Sequence, residues 1–293
     1  MSAFKVSPTP IAEQRVVFMG AGSAAVGVAK QILQLFIRNG ITEAEAKKMF
    51  WLVDSRGLVT EDRGDVLADH KTYFARNDNK GEQLRTLEEV VDFVNPTALI
   101  GLCTIGGIFT ESIVRKIAAN NEAPIIFPLS NPSSKSECTF AQAMEWTDNR
   151  VVFASGSPFP AVNVHGVEKV PGQGNNIYVF PGIGLGTILC EAAHITQSMI
   201  YASATAVAAS LTPLERAKGW IYPELARIRE VSVQVARHVI RAAQEEGLDR
   251  NKVLQFLNDD DLDQYIRDRM YDPKIGASAA SRQGSREGSP SRL

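Results

Sequence analysis

The tightest constraint on the fold lies near the start of the chain. Arg15-Val16-Val17-Phe18-Met19 is a short β-branched and aromatic run, which reads as a buried strand. Gly20-Ala21-Gly22-Ser23-Ala24-Ala25 follows at once. From Ser23 to about Arg38 the apolar residues Val26, Ala29, Ile32, Leu33 and Phe36 recur on one helical face. A strand that passes through two glycines straight into a helix is the opening of a βαβ unit. Gly20 permits the tight turn. Gly22 lets backbone approach an anion at the helix N-terminus, and Ser23 is the expected N-cap.

The same alternation continues. A second helix fits Thr42–Met49, followed by the strand Phe50-Trp51-Leu52-Val53, which ends at Asp54. Helical patterns at Leu87–Val94, Glu111–Asn120 and Thr139–Trp146 separate strands at Ala98–Leu102, Ile125–Phe127 and Val151–Ala154. Strand–helix alternation of this kind predicts an α/β fold with a doubly wound, mostly parallel sheet. After Gly182 the strands stop. Ile183–Leu211 and Ala226–Gln244 read as long C-terminal helices that close the domain. One domain over residues 1–271 is expected. Residues 272–293, rich in Ser, Ala, Gly and Arg, are expected to form a disordered tail.

A net charge of −2 gives no reason to expect nucleic acid or an acidic membrane surface as a partner. The apolar stretch around Ile183–Ala193 is interrupted by Glu191 and is too short to span a bilayer. Residues 1–9 lack the apolar core of a signal peptide. Cys103, Cys138 and Cys190 are odd in number and widely spaced, so they read as reduced thiols in an intracellular compartment, cytosol or mitochondrial matrix.

In an open α/β sheet, ligands bind beyond the carboxyl ends of the strands. The turn residues Gly20, Ala21, Gly22, Ser23, Ala24 and Ala25 match the GxGxxA pattern of a dinucleotide pyrophosphate site. Asp54, with Ser55 beside it, stands at the end of the second strand, 32 residues beyond Gly22. There it would accept from the adenosine ribose hydroxyls and favour NAD. Arg56 and Lys71 are candidates to neutralise the 2′-phosphate of NADP, which keeps that cofactor open. The later strand ends read Cys103-Thr104-Ile105-Gly106-Gly107, Ser130-Asn131-Pro132 and Ser155-Gly156-Ser157-Pro158. Asn131 can hold a substrate carboxylate or hydroxyl, or the nicotinamide carboxamide; an Asn–Pro turn is the plainer reading. The block Gly172-Gln173-Gly174-Asn175-Asn176 pairs glycines with adjacent uncharged amides, which suits a small polar substrate beside a cofactor. His70, His165, His194 and His238 form no metal or acid–base pattern, and Asp259-Asp260-Asp261 reads as a solvated loop or helix cap.

Taken in order, VVFMGAGSAAVGVA, WLVDSRG, IIFPLSNPSSKSECT, VFASGSPF and PGQGNNIYVFPGIGLG resemble the C-terminal, Rossmann-type NAD-binding domain of malic enzymes. The resemblance runs from about Met1 to Tyr271. It implies oxidative decarboxylation of L-malate to pyruvate and CO2, with hydride transfer to NAD or NADP and Mg2+ or Mn2+ in the intact enzyme. It implies pyrophosphate contacts from Gly20 to Ala25, a role for Asp54 at the adenosine end, and substrate contacts from Asn131 and Asn175 with Asn176 adjacent. It also implies a homo-oligomer, dimer or tetramer. The family's catalytic Tyr and Lys, its Glu-Asp metal pair and its third metal Asp match nothing in this sequence. The chain is therefore expected to be N-terminally truncated, inactive alone, and to expose apolar surface near Phe4 and Ile11. The alternative is a non-catalytic dinucleotide-binding module that acts as a regulator or a partner-dependent subunit.

Overall fold

The computed structural model describes residues 1–271. The tail expected at 272–293 lies outside the described residues. A short helix α1 (Ser2–Val6) leads into β1 (Val16–Met19), α2 (Ser23–Arg38), α3 (Glu43–Lys47), β2 (Phe50–Asp54) and β3 (Gly57–Leu58). Then come α4 (Asp69–Thr72), α5 (Leu87–Val94), β4 (Ala98–Gly101), α6 (Glu111–Ala119), β5 (Ile125–Pro128), α7 (Phe140–Trp146) and β6 (Val152–Ser155). A hairpin of β7 (Val162–Val164) and β8 (Val167–Lys169) precedes β9 (Gly172–Gln173). Helices α8 (Phe180–Leu189), α9 (Gln197–Ala209), α10 (Pro213–Ala217), α11 (Ile228–Glu245) and α12 (Asp259–Arg267) complete the described chain.

Seven strands form one sheet in the order β3-β2-β1-β4-β5-β6-β9. All neighbours run parallel except β3, which pairs antiparallel with β2. The strand order reverses at β1, so β1 and β4 flank the switch point where ligands of such sheets bind.

Period-two alternation explains why both faces are covered. Val16 and Phe18 of β1, Ala98 and Ile100 of β4, Ile125 of β5 and Ala154 of β6 join the core that contains Ala25, Ala29, Leu33 and Phe36 of α2. Val17, Met19, Leu99, Ile126 and Phe153 point the other way, onto Val90 and Val94 of α5, Ile113 and Ile117 of α6, and Met144 of α7. Phe18, Phe36 and Phe74 pack around Phe50, with ring centroids 5.4–6.4 Å from its own. Each such burial contributes about 1.5–3 kcal/mol. Three helices of the first half, α3, α5 and α7, start at capping boxes: Thr42, Thr86 and Thr139 each accept from the N3 backbone while Glu45, Glu89 and Gln142 reach back.

The third core is all helical and gathers Met199, Val231, Val235, Val239, Leu254, Leu262 and Ile266. Gly182 and Gly186 let α8 lie directly on α11. A Cβ at Gly182 would fall 2.5 Å from the Val235 side chain, and one at Gly186 2.7 Å from the Ala236 carbonyl.

Several expectations are revised. The helix expected at Ile183–Leu211 is two, because Glu191 takes a φ of +53° and Thr196 caps a new start. Gly22, not Ser23, is the N-cap of α2, with no side-chain cap hydrogen bond. Phe4 is buried rather than exposed, since its ring packs edge-on against Phe36 at 5.5 Å. Asp259, Asp260 and Asp261 agree with the helix-cap reading: they form the exposed first turn of α12, where the helix dipole favours acidic residues.

Candidate functional site

Gly20 follows β1 with a φ of +122°, and a Cβ there would sit 2.6 Å from the Leu102 carbonyl oxygen. Only glycine fits. Ala21 and Ala25 are buried beneath the turn, whereas Gly22, Ser23 and Ala24 face outward. A Cβ at Gly22 would meet nothing within 4 Å. With Gly22 as the cap, no side chain among the described residues bonds the first-turn N–H groups of α2. They face open space at the positive end of a helix dipole, as an anion site requires.

On the β2 side of this turn stands Asp54. Arg63 donates to both its oxygens at 2.8 and 3.1 Å, Lys71 donates at 2.7 Å, and the Arg56 backbone N–H donates at 2.9 Å. Burial alone would raise its pKa, but the bonds from Arg63, Lys71 and Arg56 outweigh it and hold the carboxyl at about 2. Each oxygen already accepts two hydrogen bonds. The ribose-acceptor role expected of Asp54 therefore meets a carboxylate whose lone pairs are taken. Asp54 instead anchors cations at this corner. Asp65 accepts from Arg63 at 2.8 Å and from Arg56 at 3.2 Å. Three cations, Arg56, Arg63 and Lys71, face two carboxylates, a surplus of one positive charge. Arg56 is 68% exposed and Lys71 23%, so both side chains remain within reach of a ligand. Ser55 is exposed beside them.

On the β5–β6 side the exposed wall is built of neutral amide and hydroxyl side chains. Asn131 precedes Pro132 through a cis peptide and is exposed. Its Oδ1 accepts from the Ser157 hydroxyl at 2.5 Å, which fastens the end of β5 to the end of β6. Gly156 lies between them, and a Cβ there would fall 2.2 Å from the Leu129 carbonyl. Strand β9 pairs Gly172 with Ala154 and Gln173 with Ser155, so Asn175 emerges next to the end of β6. Asn175 Oδ1 accepts from the Ile177 N–H at 2.9 Å, and Asn176 is exposed beside it. In both Asn131 and Asn175 the carbonyl oxygen is engaged. Their NH2 groups are the ends left to donate.

The structure thus gathers Asn131, Ser157 and Asn175 at three neighbouring strand ends, with the glycine turn at β1 and Asp54 further along at β2. Gly182, a few residues further on, belongs to helix packing. A cavity of about 560 Å³ lies behind the neutral wall, bordered by Ser155, Gln173, Tyr222 and Trp220, and none of the glycine-turn residues line it. The histidines take other places. His165 sits in the β7–β8 turn and His194 between α8 and α9, while His238 of α11 pairs with the Gln234 carbonyl at 2.8 Å. His70 is exposed in α4. All three cysteines are free. Among the described residues no group of three or more His, Cys, Asp or Glu is arranged to hold a metal ion, and no helix is long and apolar enough to cross a membrane.

Two site residues carried no signal in the sequence. Arg63 sits in a loop, nine positions past its partner Asp54. Glu137 lies in the polar segment Ser133–Thr139 yet is fully buried. The indirect sign of it was Gly101, a glycine that ends an otherwise apolar strand: a Cβ there would lie 2.3 Å from Glu137 Cδ.

A parallel sheet that reverses order at a glycine turn, with a bare helix N-terminus above it, defines a dinucleotide-binding α/β domain. The chain belongs to the malic enzyme family: a family profile described as "Malic enzyme, NAD binding domain" matches residues 1–244. It is 46% identical over 278 residues to an NADP-dependent malic enzyme of Dictyostelium discoideum, covering 95% of this chain and 50% of that protein. It is 38% identical over 272 residues to an NADP-dependent malic enzyme of Homo sapiens, covering 92% and 46%. The crystal structure of Entamoeba histolytica malic enzyme shares the fold, with a TM-score of 0.69 at 24% identity, over 91% of this chain and 49% of that one. The chain spans about half the length of the curated relatives it matches.

Proposed function

We propose that this chain is the cofactor-carrying part of a malic enzyme that oxidatively decarboxylates L-malate to pyruvate and CO2. The observation that carries this reading is the pairing of a bare helix N-terminus at Gly22 with two outward-facing amide donors, Asn131 and Asn175, across the switch point. The first suits a pyrophosphate. The second suits the carboxylate and hydroxyl oxygens of a small dicarboxylic hydroxy acid, which accept hydrogen bonds and lack the bulk for an apolar pocket.

When bound, the nicotinamide ring supplies the acceptor for the hydride of the hydroxyl-bearing carbon. The chain's own residues bind and orient. Gly20 shapes the turn, the first-turn N–H groups of Ser23, Ala24 and Ala25 take the pyrophosphate, and Asn131 and Asn175 hold the substrate beside the ring, with Asn176 adjacent. Ser157 locks the Asn131 amide so that its NH2 end, not its oxygen, meets the substrate. The described residues do not form a divalent-metal cage. In this reading the metal ligands and the acid–base pair lie in the half of the family's length that this chain does not span, and the working unit is a homo-oligomer.

NADP is the favoured cofactor. The saturated Asp54 carboxylate and the surplus positive charge of Arg56, Arg63 and Lys71 suit a 2′-phosphate better than a bare ribose diol. The curated relatives named above are NADP-dependent enzymes, which supports the same choice. The test is a chimera in which this chain replaces the matching half of the Dictyostelium relative. Malate-dependent reduction of NADP+ with pyruvate formation is expected. A chimera that folds and binds NADP+ but releases no pyruvate would count against catalysis and for a non-catalytic nucleotide-binding module.

A further inference from the structure

Glu137 is fully buried, and among the described residues no lysine, arginine or histidine forms an ion pair with it. Its carboxylate accepts from the Ser130 hydroxyl and from the Ser130 N–H at 3.3 Å. It also accepts from the Cys103 N–H at 3.4 Å and the Cys103 thiol at 3.5 Å. Every partner is neutral. Burial, opposed in part by a backbone N–H, pushes the Cys103 thiol up to about 11, so this donor keeps its proton. An isolated buried carboxylate is costly, and a fold that only needed to tie two loops together has cheaper means. This fold even gives up the side chain of Gly101 to seat it.

Its position gives the expense a purpose. The glycine turn holds the middle of the cofactor above β1, and the cation corner takes the adenosine end at β2. The nicotinamide half must then extend the other way, over the ends of β4 and β5. Cys103 and Ser130, just past those two ends, are the residues that hold the Glu137 carboxylate. The oxidised nicotinamide ring carries one positive charge and the reduced ring none, while the rest of the cofactor keeps its charge. A fixed negative charge under the floor acts on that difference alone.

We propose that Glu137 makes the nicotinamide end of the crevice discriminate in favour of the oxidised, cationic cofactor over the reduced, neutral one. The inference rests on the reading of the crevice as a nicotinamide dinucleotide site. A charge that helps release the reduced product and retain the oxidised substrate fits an enzyme that works in the oxidative direction.

The test is calorimetric titration of NADP+ and NADPH into the chain and into Glu137→Gln, with thermal melts of both. Glu137→Gln should shift the ratio of the two dissociation constants toward the reduced form by about fivefold or more, the effect of removing one charge within several ångströms at intermediate dielectric. Cys103→Ala removes one donor and keeps the carboxylate, so its ratio should match that of the unsubstituted chain. Equal changes in both affinities on Glu137→Gln would reduce Glu137 to a loop tie and overturn the proposal. If Glu137→Gln does not fold, the unsubstituted chain still decides. Binding NADPH about tenfold or more tighter than NADP+ contradicts a floor that favours the cation, and comparable or tighter binding of NADP+ agrees with it. Failure to bind either form overturns the dinucleotide reading itself.

Discussion

The two glycines of the turn should fail in opposite ways when each is changed to alanine. At Gly20 the backbone has a φ of +122° and a Cβ would approach the Leu102 carbonyl oxygen to 2.6 Å. Leaving that glycine-only conformation costs about 1–3 kcal/mol. The collision with β4's exit adds about 1–3 kcal/mol. Gly20→Ala should therefore lose about 3 kcal/mol or more, a Tm drop of roughly 6–12 °C for a domain of this size. At Gly22 the φ is −79° and a Cβ would meet nothing within 4 Å. Alanine is a poorer N-cap than glycine by about 1 kcal/mol, and the stiffer unfolded chain returns about 0.4–1 kcal/mol, so stability should stay within about 0.5 kcal/mol. The space that the new methyl fills is where the pyrophosphate would lie. Affinity for the dinucleotide should fall about tenfold or more, or at least about 1.4 kcal/mol. Urea denaturation reads the first effect and calorimetric titration the second. If Gly22→Ala unfolds as readily as Gly20→Ala, or binds nucleotide like the unsubstituted chain, the assignment of this turn is refuted.

Three further predictions follow from the site. Asn131→Ala and Asn175→Ala, each placed in the active chimera, should raise the malate KM or lower kcat about tenfold or more, which is about 1.4 kcal/mol; unchanged kinetics would remove those amides from the substrate. Lys71→Gln should weaken NADP+ binding and leave NAD+ nearly unaffected, since only the former carries the 2′-phosphate; equal losses for both would mean that Lys71 acts by holding Asp54. In acid, Asp54 titrates at about 2 instead of 3.8. Its lowered pKa contributes stability that is present above pH 3.8 and is lost as pH falls through about 2. The shift is worth about 2.4 kcal/mol at most, and screening at this partly open corner reduces it to about 1 kcal/mol. Acid titrations of the chain and of Asp54→Asn should therefore converge between about pH 4 and pH 2; parallel curves would contradict the ion-pair account.

The sheet was legible because its inner strands are buried on both faces. Val16–Met19, Ala98–Gly101 and Ile125–Pro128 carry almost nothing but apolar residues, and no other use of such runs between helices competes. Strands β3 and β9 were not legible. Each is two residues long and gets its extended form from a neighbour, not from its own side chains. The glycine turn was readable because its function is local. The roles of Asp54 and Glu137 were not, since both are set by distant partners: Arg63 and Lys71 across a loop, Ser130 and Cys103 across two strand ends. The need for Gly182 and Gly186 was not legible either, because it is set by the distant side chain of Val235 and backbone of Ala236 on α11.

The account stands most directly on whether the crevice takes a nicotinamide dinucleotide. Titration of NADP+ and NAD+ into the purified chain measures this without any catalytic step. Saturable one-to-one binding, with NADP+ bound more tightly than NAD+ and both weakened about tenfold or more by Gly22→Ala, is the predicted result. A folded chain that binds neither nucleotide would contradict it, whatever the intact relatives do.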